Sequence, residues 1–296
     1  MANLRGGTFE KQVMNAFFRL SKLGESRHNK DVKGFVSINR LKQAKVMLNK
    51  FSNYLQERGI NEGKLNQYMS DKEILRDFAE KEILRADYAP STVQEYSSLF
   101  SKVVENLANN NVTISQEAIN YTKELYQEAK ETFRADTYET GRYVDNLQDK
   151  LYSLYNNNFA SGVIAEVQSS LGLRISEAYE VVRNFDNYYN AENNTIEGLI
   201  GKANHEYMPK EISHDLVQKI EAIHNNNAPI PSPSAYREDL KEVGIPKSHD
   251  LRITYAKDLY ENLKDRGYSD REALREVSKE LNHNRLEITQ YYLARA

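Results

Sequence analysis

Four short stretches of this chain carry side chains that could do chemistry. "LGLRISEAYEV" sets Arg174 just inside a helix with Glu177 one turn on, and "GLIGKANHEYMP" sets Lys202 at a strand-turn-strand junction. "SHDLRITYA" spaces His249 and Arg252 at i, i+3, on one face of a helix beginning near Ser248. "LNHNRLEITQYYL" adds His283 and then the neighbours Tyr291 and Tyr292. Each also has a structural reading. Arg174 can pair with Glu177, Lys202 can be an exposed turn residue, and His249 beside Asp250 can decorate a helix N-terminus. His283 can be a satisfied core histidine, and among 20 tyrosines a Tyr-Tyr pair is a weak signal.

As a set, these residue types fit phosphodiester cleavage without a metal. A phosphodiester attacked in line gathers negative charge on its non-bridging oxygens, which fixed cations must meet. Arginine stays charged and offers two parallel hydrogen bonds, which makes Arg174 and Arg252 the candidate clamp. A tyrosine phenol, with a pKa of about 10, can form a covalent phosphate link and leave again when the link is reversed. Neighbours on a regular helix lie about 100° apart, so only one of Tyr291 and Tyr292 can face that phosphate.

Elements that would position these groups are legible from periodicity. Phe9, Val13, Phe17 and Leu20 form one stripe of a helix from Thr8 to Ser21. A longer helix follows Ser37 as N-cap and stops at Gly59. Further helical patterns cover 64–84, 91–107 and 115–133, with Pro90 marking a start. Residues 1–135 therefore read as a bundle of about five helices, and "RADTYETGR" as a linker. Beyond it come helices over 143–155 and 160–182, then an Asn- and Gly-broken region from Asn184 to Ile212 with two or three short strands. Helices resume at His214, and "NNNAPIPSPSAYRE" reads as a loop. The fold class is mainly α with a small β-sheet.

Composition removes other chemistries. With no cysteine there is no disulfide or thiolate nucleophile, and six histidines without HExxH or an i, i+4 pair argue against a protein metal site. No apolar run approaches a membrane span and no secretory start is present, so a cytoplasmic protein is expected. The formal net charge is -3, yet the first 60 residues hold 12 Lys and Arg against 4 acids. Such a segment is either a solvated helix surface or a positive face for a phosphate backbone.

In this order and spacing, the stretches resemble the boxes of the tyrosine recombinases, the phage-type integrase family. "LGLRISEA" is similar to the family's first box, "GKANH" to its β-turn lysine segment and "HDLRITYA" to its second box. "LNH", with Tyr292 nine residues after His283, is similar to the third. The resemblance covers 140–296 well and the N-terminal half more loosely, through "APSTVQEYSSLFSKVVENL". It implies a helical core-binding domain over 1–135 and a mixed α/β catalytic domain over 136–296. Catalytic roles would fall on Arg174, Lys202, His249, Arg252, His283 and Tyr292, with Glu177 in support. His249 would accept the proton of the nucleophile Tyr292, His283 would hydrogen-bond the phosphate and Lys202 would protonate the leaving 5′-oxygen.

The resemblance further implies double-stranded DNA as substrate, clamped between the two domains, a 3′-phosphotyrosine link and a homo-tetramer on DNA. Neither ATP nor metal is implied as cofactor; accessory DNA-bending proteins would be further partners, and the enzyme would be nucleoid-associated when bound. Asn282 replaces the family's usual Gly, and Ile253 stands where a second histidine is common. Four residues follow Tyr292, too few for the swapped helix many relatives carry, so protomers are expected to couple by another route. Two alternatives stay open: a cleaving and rejoining enzyme similar to type IB topoisomerases, and a DNA-binding protein that kept the fold without the chemistry.

Overall fold

The computed structural model describes residues 4, 7–26, 29, 31–132, 140–202, 204–283 and 285–296. The chain divides into two compact units, Met1–Asp136 and Thr137–Ala296. The first is helical: α1 (Phe9–Leu20), α2 (Ile38–Glu57), the single turn α3 (Leu65–Tyr68), α4 (Lys72–Glu82), α5 (Pro90–Asn109) and α6 (Gln116–Thr132). Its core is aromatic, with the ring of Phe78 5.0 Å from that of Phe51 and 5.1 Å from that of Phe100. The expected single helix over 64–84 is instead two. Asp71 caps α4 by accepting from the N–H groups of Glu73 and Ile74, which starts a new helix where periodicity alone would continue the old one.

Part of the positive charge of the first 60 residues is answered within this unit. Arg40 pairs with Glu95, Lys50 with Glu82 and Arg58 with Asp77. Arg5, Arg27 and Lys30 lie outside the described residues, as does most of the expected linker, up to residue 139.

The second unit runs α7 (Leu147–Asn157), α8 (Phe159–Leu171), α9 (Ile175–Arg183), β1 (Tyr189–Asn190), β2 (Thr195–Ile196), β3 (Lys210–Glu211), α10 (His214–Asn225), α11 (Pro233–Glu242), α12 (Ser248–Asp265), α13 (Asp270–Glu280) and α14 (Leu286–Leu293). The strands form one antiparallel sheet in the order β1-β2-β3, pairing Tyr189 with Ile196 and Ile196 with Lys210. The class is thus mainly α with a small three-stranded sheet. Apolar on nearly every side, α8 is buried along most of its length and forms the axis of this unit's main core. A second cluster joins α12, α13 and α14 through Ile253, Ala256, Val277, Leu281 and Tyr292.

Three boundaries differ from the periodic reading. The pattern over 160–182 is broken at Gly172, which ends α8 in the left-handed region at φ +64°. Residues 143–146 precede α7 rather than opening it, because the Val144 N–H donates to the Thr254 hydroxyl on α12 at 2.9 Å. The proline-rich loop also contains α11, for which Ser232 is the N-cap and Pro233 the first residue. Among the described residues, no helix is long and apolar enough to cross a membrane.

Candidate active site

Gly172 is required twice. Its φ is positive, and a Cβ there would stand 2.4 Å from Cδ1 of Tyr255. The turn it makes aims its carbonyl at Nη1 of Arg252, which donates to it. Two residues on, Arg174 is the N-cap of α9 rather than a residue inside it. Glu177, at the third helical position, accepts from the Arg174 backbone N–H and from Arg174 Nη1, each at 2.7 Å. Burial works against the charged form of Glu177. The Arg174 N–H, the Arg174 charge and the Tyr207 hydroxyl outweigh it and hold the pKa below the usual range.

Arg252, on α12, has no exposed surface. Besides Gly172, its Nη1 donates to the Tyr207 hydroxyl at 3.1 Å, while Nη2 donates to the carbonyl of Leu281 and to Nε2 of His283 at 3.3 Å. The Glu177 carboxylate stands 3.8 Å from Nη1 and supplies the countercharge. Its Nε is buried without a hydrogen-bond partner among the described residues, an orphan donor of a kind that folded proteins rarely keep.

The contact with Arg252 sets the tautomer of His283. A guanidinium can only donate, so Nε2 is the acceptor and the proton sits on Nδ1, which donates to the Thr289 hydroxyl at 3.0 Å. Burial first, then the charges of Arg252, Arg174 and His249, push the His283 pKa down to about 3. His249 is pushed down to about 4, chiefly by burial and then by Arg252, Arg142 and Arg174. Both imidazoles are therefore neutral near pH 7, and at His283 the Nε2 lone pair is already taken by Arg252.

Tyr292 lies between them. Its ring centroid is 5.0 Å from that of His249 and 4.8 Å from that of His283, both edge-on, and 6.0 Å from the Arg252 guanidinium carbon. Only 7% of it is exposed. Tyr291 instead accepts at its hydroxyl from Nη1 of Arg295, whose guanidinium carbon lies 4.8 Å from the ring centroid. Adjacent positions on α14 thus have different surroundings.

Lys202 stands apart from this cluster. It is exposed in the loop between the bridged residues Ile200 and Glu206, and lines an open cleft of about 480 Å³ with Arg174, Glu177 and Gly201. His249, His283 and Tyr292 do not line that cleft. The structure therefore brings together Arg174, Glu177, Arg252, His249, His283 and Tyr292, with Lys202 on the Arg174 side.

Four contributors had no role assigned from the sequence. Tyr207 receives both arginines at its hydroxyl. Asn282 sits at φ +52°, which its short polar side chain tolerates in place of glycine, and its Nδ2 donates to the His205 carbonyl at 2.9 Å. That bond ties the Lys202 loop to the segment bearing His283. Arg142, at the end of the expected linker, makes a buried pair with Asp250, its Nε donating to Oδ1 at 2.7 Å, and so anchors α12 beside His249. Lys210 is buried with its ammonium 2.7 Å from Glu280, its pKa lowered by burial against that partner. The one local signal among these was Asn282, a left-handed-tolerant residue where glycine was expected. Among the described residues, no group of three or more His, Cys, Asp or Glu is placed to hold a metal ion.

No protein-family profile matches the chain, and no curated protein matches it in sequence. Among solved structures, the chain is similar to one described as the crystal structure of XerA recombinase. The identity is 13%, the match covers 95% of this chain and 93% of that one, and the TM-score is 0.39. A likeness of that size carries no argument about chemistry, which rests on the side chains alone.

Proposed function

We propose that this chain is a site-specific DNA recombinase that cuts and rejoins strands through a 3′-phosphotyrosine link. One observation carries the reading. A phenol, two neutral imidazoles and two arginines from three distant chain segments converge within one unit. In-line transfer at a monoanionic phosphodiester calls for a nucleophilic oxygen, a proton acceptor and fixed cations, and this set supplies each.

In the proposed step, the Tyr292 oxygen attacks the scissile phosphorus and its proton passes to His249. The bond from phosphorus to the 5′-oxygen breaks, and the Lys202 ammonium gives that oxygen a proton. Reversal by a partner strand's 5′-hydroxyl restores the phenol, His249 and Lys202, and leaves the strands exchanged. Arg174, 23% exposed at its side chain, is the arginine that meets a non-bridging oxygen first. Arg252, fully buried, contributes a fixed charge from beneath the tyrosine ring. His283 uses both ring nitrogens on Arg252 and Thr289 beside the Tyr292 ring, so its expected hydrogen bond to the phosphate would require the Nδ1 proton to leave Thr289. The first unit, with Lys42 and Lys45 on α2, would hold duplex DNA by the DNA's phosphate backbone, an affinity that falls steeply with salt.

The test is a nicked suicide duplex drawn from the DNA flanking the coding sequence. A covalent protein–DNA species stable to denaturation supports the reading, and its absence across all such duplexes overturns it. Relaxation of any supercoiled plasmid, without need of a paired site, would replace strand exchange with the topoisomerase alternative.

A further inference from the structure

We propose that Tyr207 is the positioning residue that fixes the two arginines relative to each other, a proposal that rests on the phosphoryl-transfer reading above. A phenol hydroxyl has one donor and two acceptor positions. At Tyr207 all three are used: it accepts from Nη1 of Arg174 at 3.1 Å and from Nη1 of Arg252 at 3.1 Å, and donates to Oε2 of Glu177 at 2.8 Å. The ring is 4% exposed, packs 2.8 Å from where a Cβ on Gly201 would stand and lies 5.5 Å below the Lys210 ammonium.

The arrangement solves a physical problem. Two guanidiniums that converge on one phosphate repel each other before the phosphate arrives, and among the described residues Glu177 is the carboxylate that lies between them. Tyr207 adds a neutral acceptor shared by both, so each Nη1 is satisfied by the protein. Among the described residues, the other side-chain N–H groups of Arg174 have no hydrogen-bond acceptor within the protein, and they are the ones that would meet the substrate. Burial keeps the phenol protonated, its pKa pushed up to about 12, so the donor to Glu177 persists. Tyr207 also shares its hairpin with Lys202. The Gly201 N–H donates to the His205 carbonyl at 2.8 Å, and Asn282 donates to that same carbonyl. One short segment therefore sets the arginine pair and carries the proposed general acid.

The test is Tyr207→Phe, which keeps the ring and removes only the hydroxyl. Duplex affinity stays within about twofold, while the rate of covalent adduct formation at saturating suicide duplex falls roughly 10- to 100-fold, the scale of a small misplacement of a reacting group. On a duplex with a methylphosphonate at the scissile position, which carries no charge for the arginines to meet, the wild type and Tyr207→Phe converge to within about threefold. A defect of equal size on both duplexes, or no defect on either, overturns the proposal.

A DNA-free measurement separates it from the reading on which it rests. In nitrogen-15 spectra of the arginine side chains, the Nη groups of Arg174 rotate faster in Tyr207→Phe than in the wild type, while those of Arg252, still held by Gly172, Leu281 and His283, stay slow but change chemical shift. If the wild type forms no adduct, the recombinase reading fails, and the spectra still decide whether Tyr207 fixes the pair. Unchanged spectra remove Tyr207 from that role whatever the DNA assay gives.

Discussion

Lowering the pH from 7 to 5 should destabilise the second unit through His249 and His283 before any carboxylate contributes. Both rings are neutral in the folded protein, with pKa values pushed down to about 4 and about 3, whereas an unfolded histidine titrates near 6.5. Their stabilisation is therefore complete above pH 6.5 and is lost as the pH falls toward the folded values, because the unfolded chain takes up protons that the folded one refuses. Over that interval an unscreened ring would lose roughly 2 kcal/mol. Both rings are partly open to solvent, and halving for screening leaves roughly 1 kcal/mol each, about 2 kcal/mol together. With a urea slope of about 2 kcal/mol/M, the midpoint should fall by about 1 M. His283→Asn should remove about half of that pH-dependent drop. Urea unfolding followed by hydrogen exchange at α12 and α14 measures it for this unit alone. Equal pH slopes in the wild type and His283→Asn would refute the assignment of a neutral, buried imidazole, since the other histidines cancel in the comparison.

Gly172→Ala meets both a positive φ and the Tyr255 ring, and should lower stability by about 2–4 kcal/mol in urea unfolding; a change under about 0.5 kcal/mol would show that the turn relaxes freely. Removing one partner of the buried Arg142–Asp250 pair, as in Arg142→Met, should cost about 3–5 kcal/mol, and the added change Asp250→Leu should recover part of it; a double variant no better than the single contradicts the pairing. Lys202→Ala, at an exposed position, should leave the urea midpoint within error while slowing adduct formation, and wild-type rates would remove Lys202 from the chemistry.

Helices were legible wherever a single apolar stripe ran unbroken, as in α1, α2 and α5, because burial of that stripe is what holds them. Boundaries were lost where one side chain or one dihedral decided them. Asp71 restarts a helix inside a continuous pattern, and Gly172 interrupts another at a position where periodicity is silent. For the site, spacing placed His249 and Arg252 on one helical face, and the capping position of Arg174 explains its pairing with Glu177. Tyr207 and Arg142 were illegible for a common reason. Their partners lie 45 and 108 residues away, and neither a lone tyrosine among 20 nor an arginine in a polar stretch carries a local pattern. Burial of Arg252 was likewise hidden, since nothing in "HDLRITYA" tells an exposed phosphate ligand from a cation roofed by a tyrosine ring.

Whether Tyr292 is the nucleophile is decided by which residue carries the DNA. Protein trapped on a nicked duplex, digested with nuclease and protease and sequenced by mass spectrometry, should bear a 3′-nucleotide on Tyr292. The species should be absent in Tyr292→Phe and present in Tyr291→Phe. A nucleotide on Tyr291 or elsewhere, or an adduct that survives Tyr292→Phe, would contradict the account.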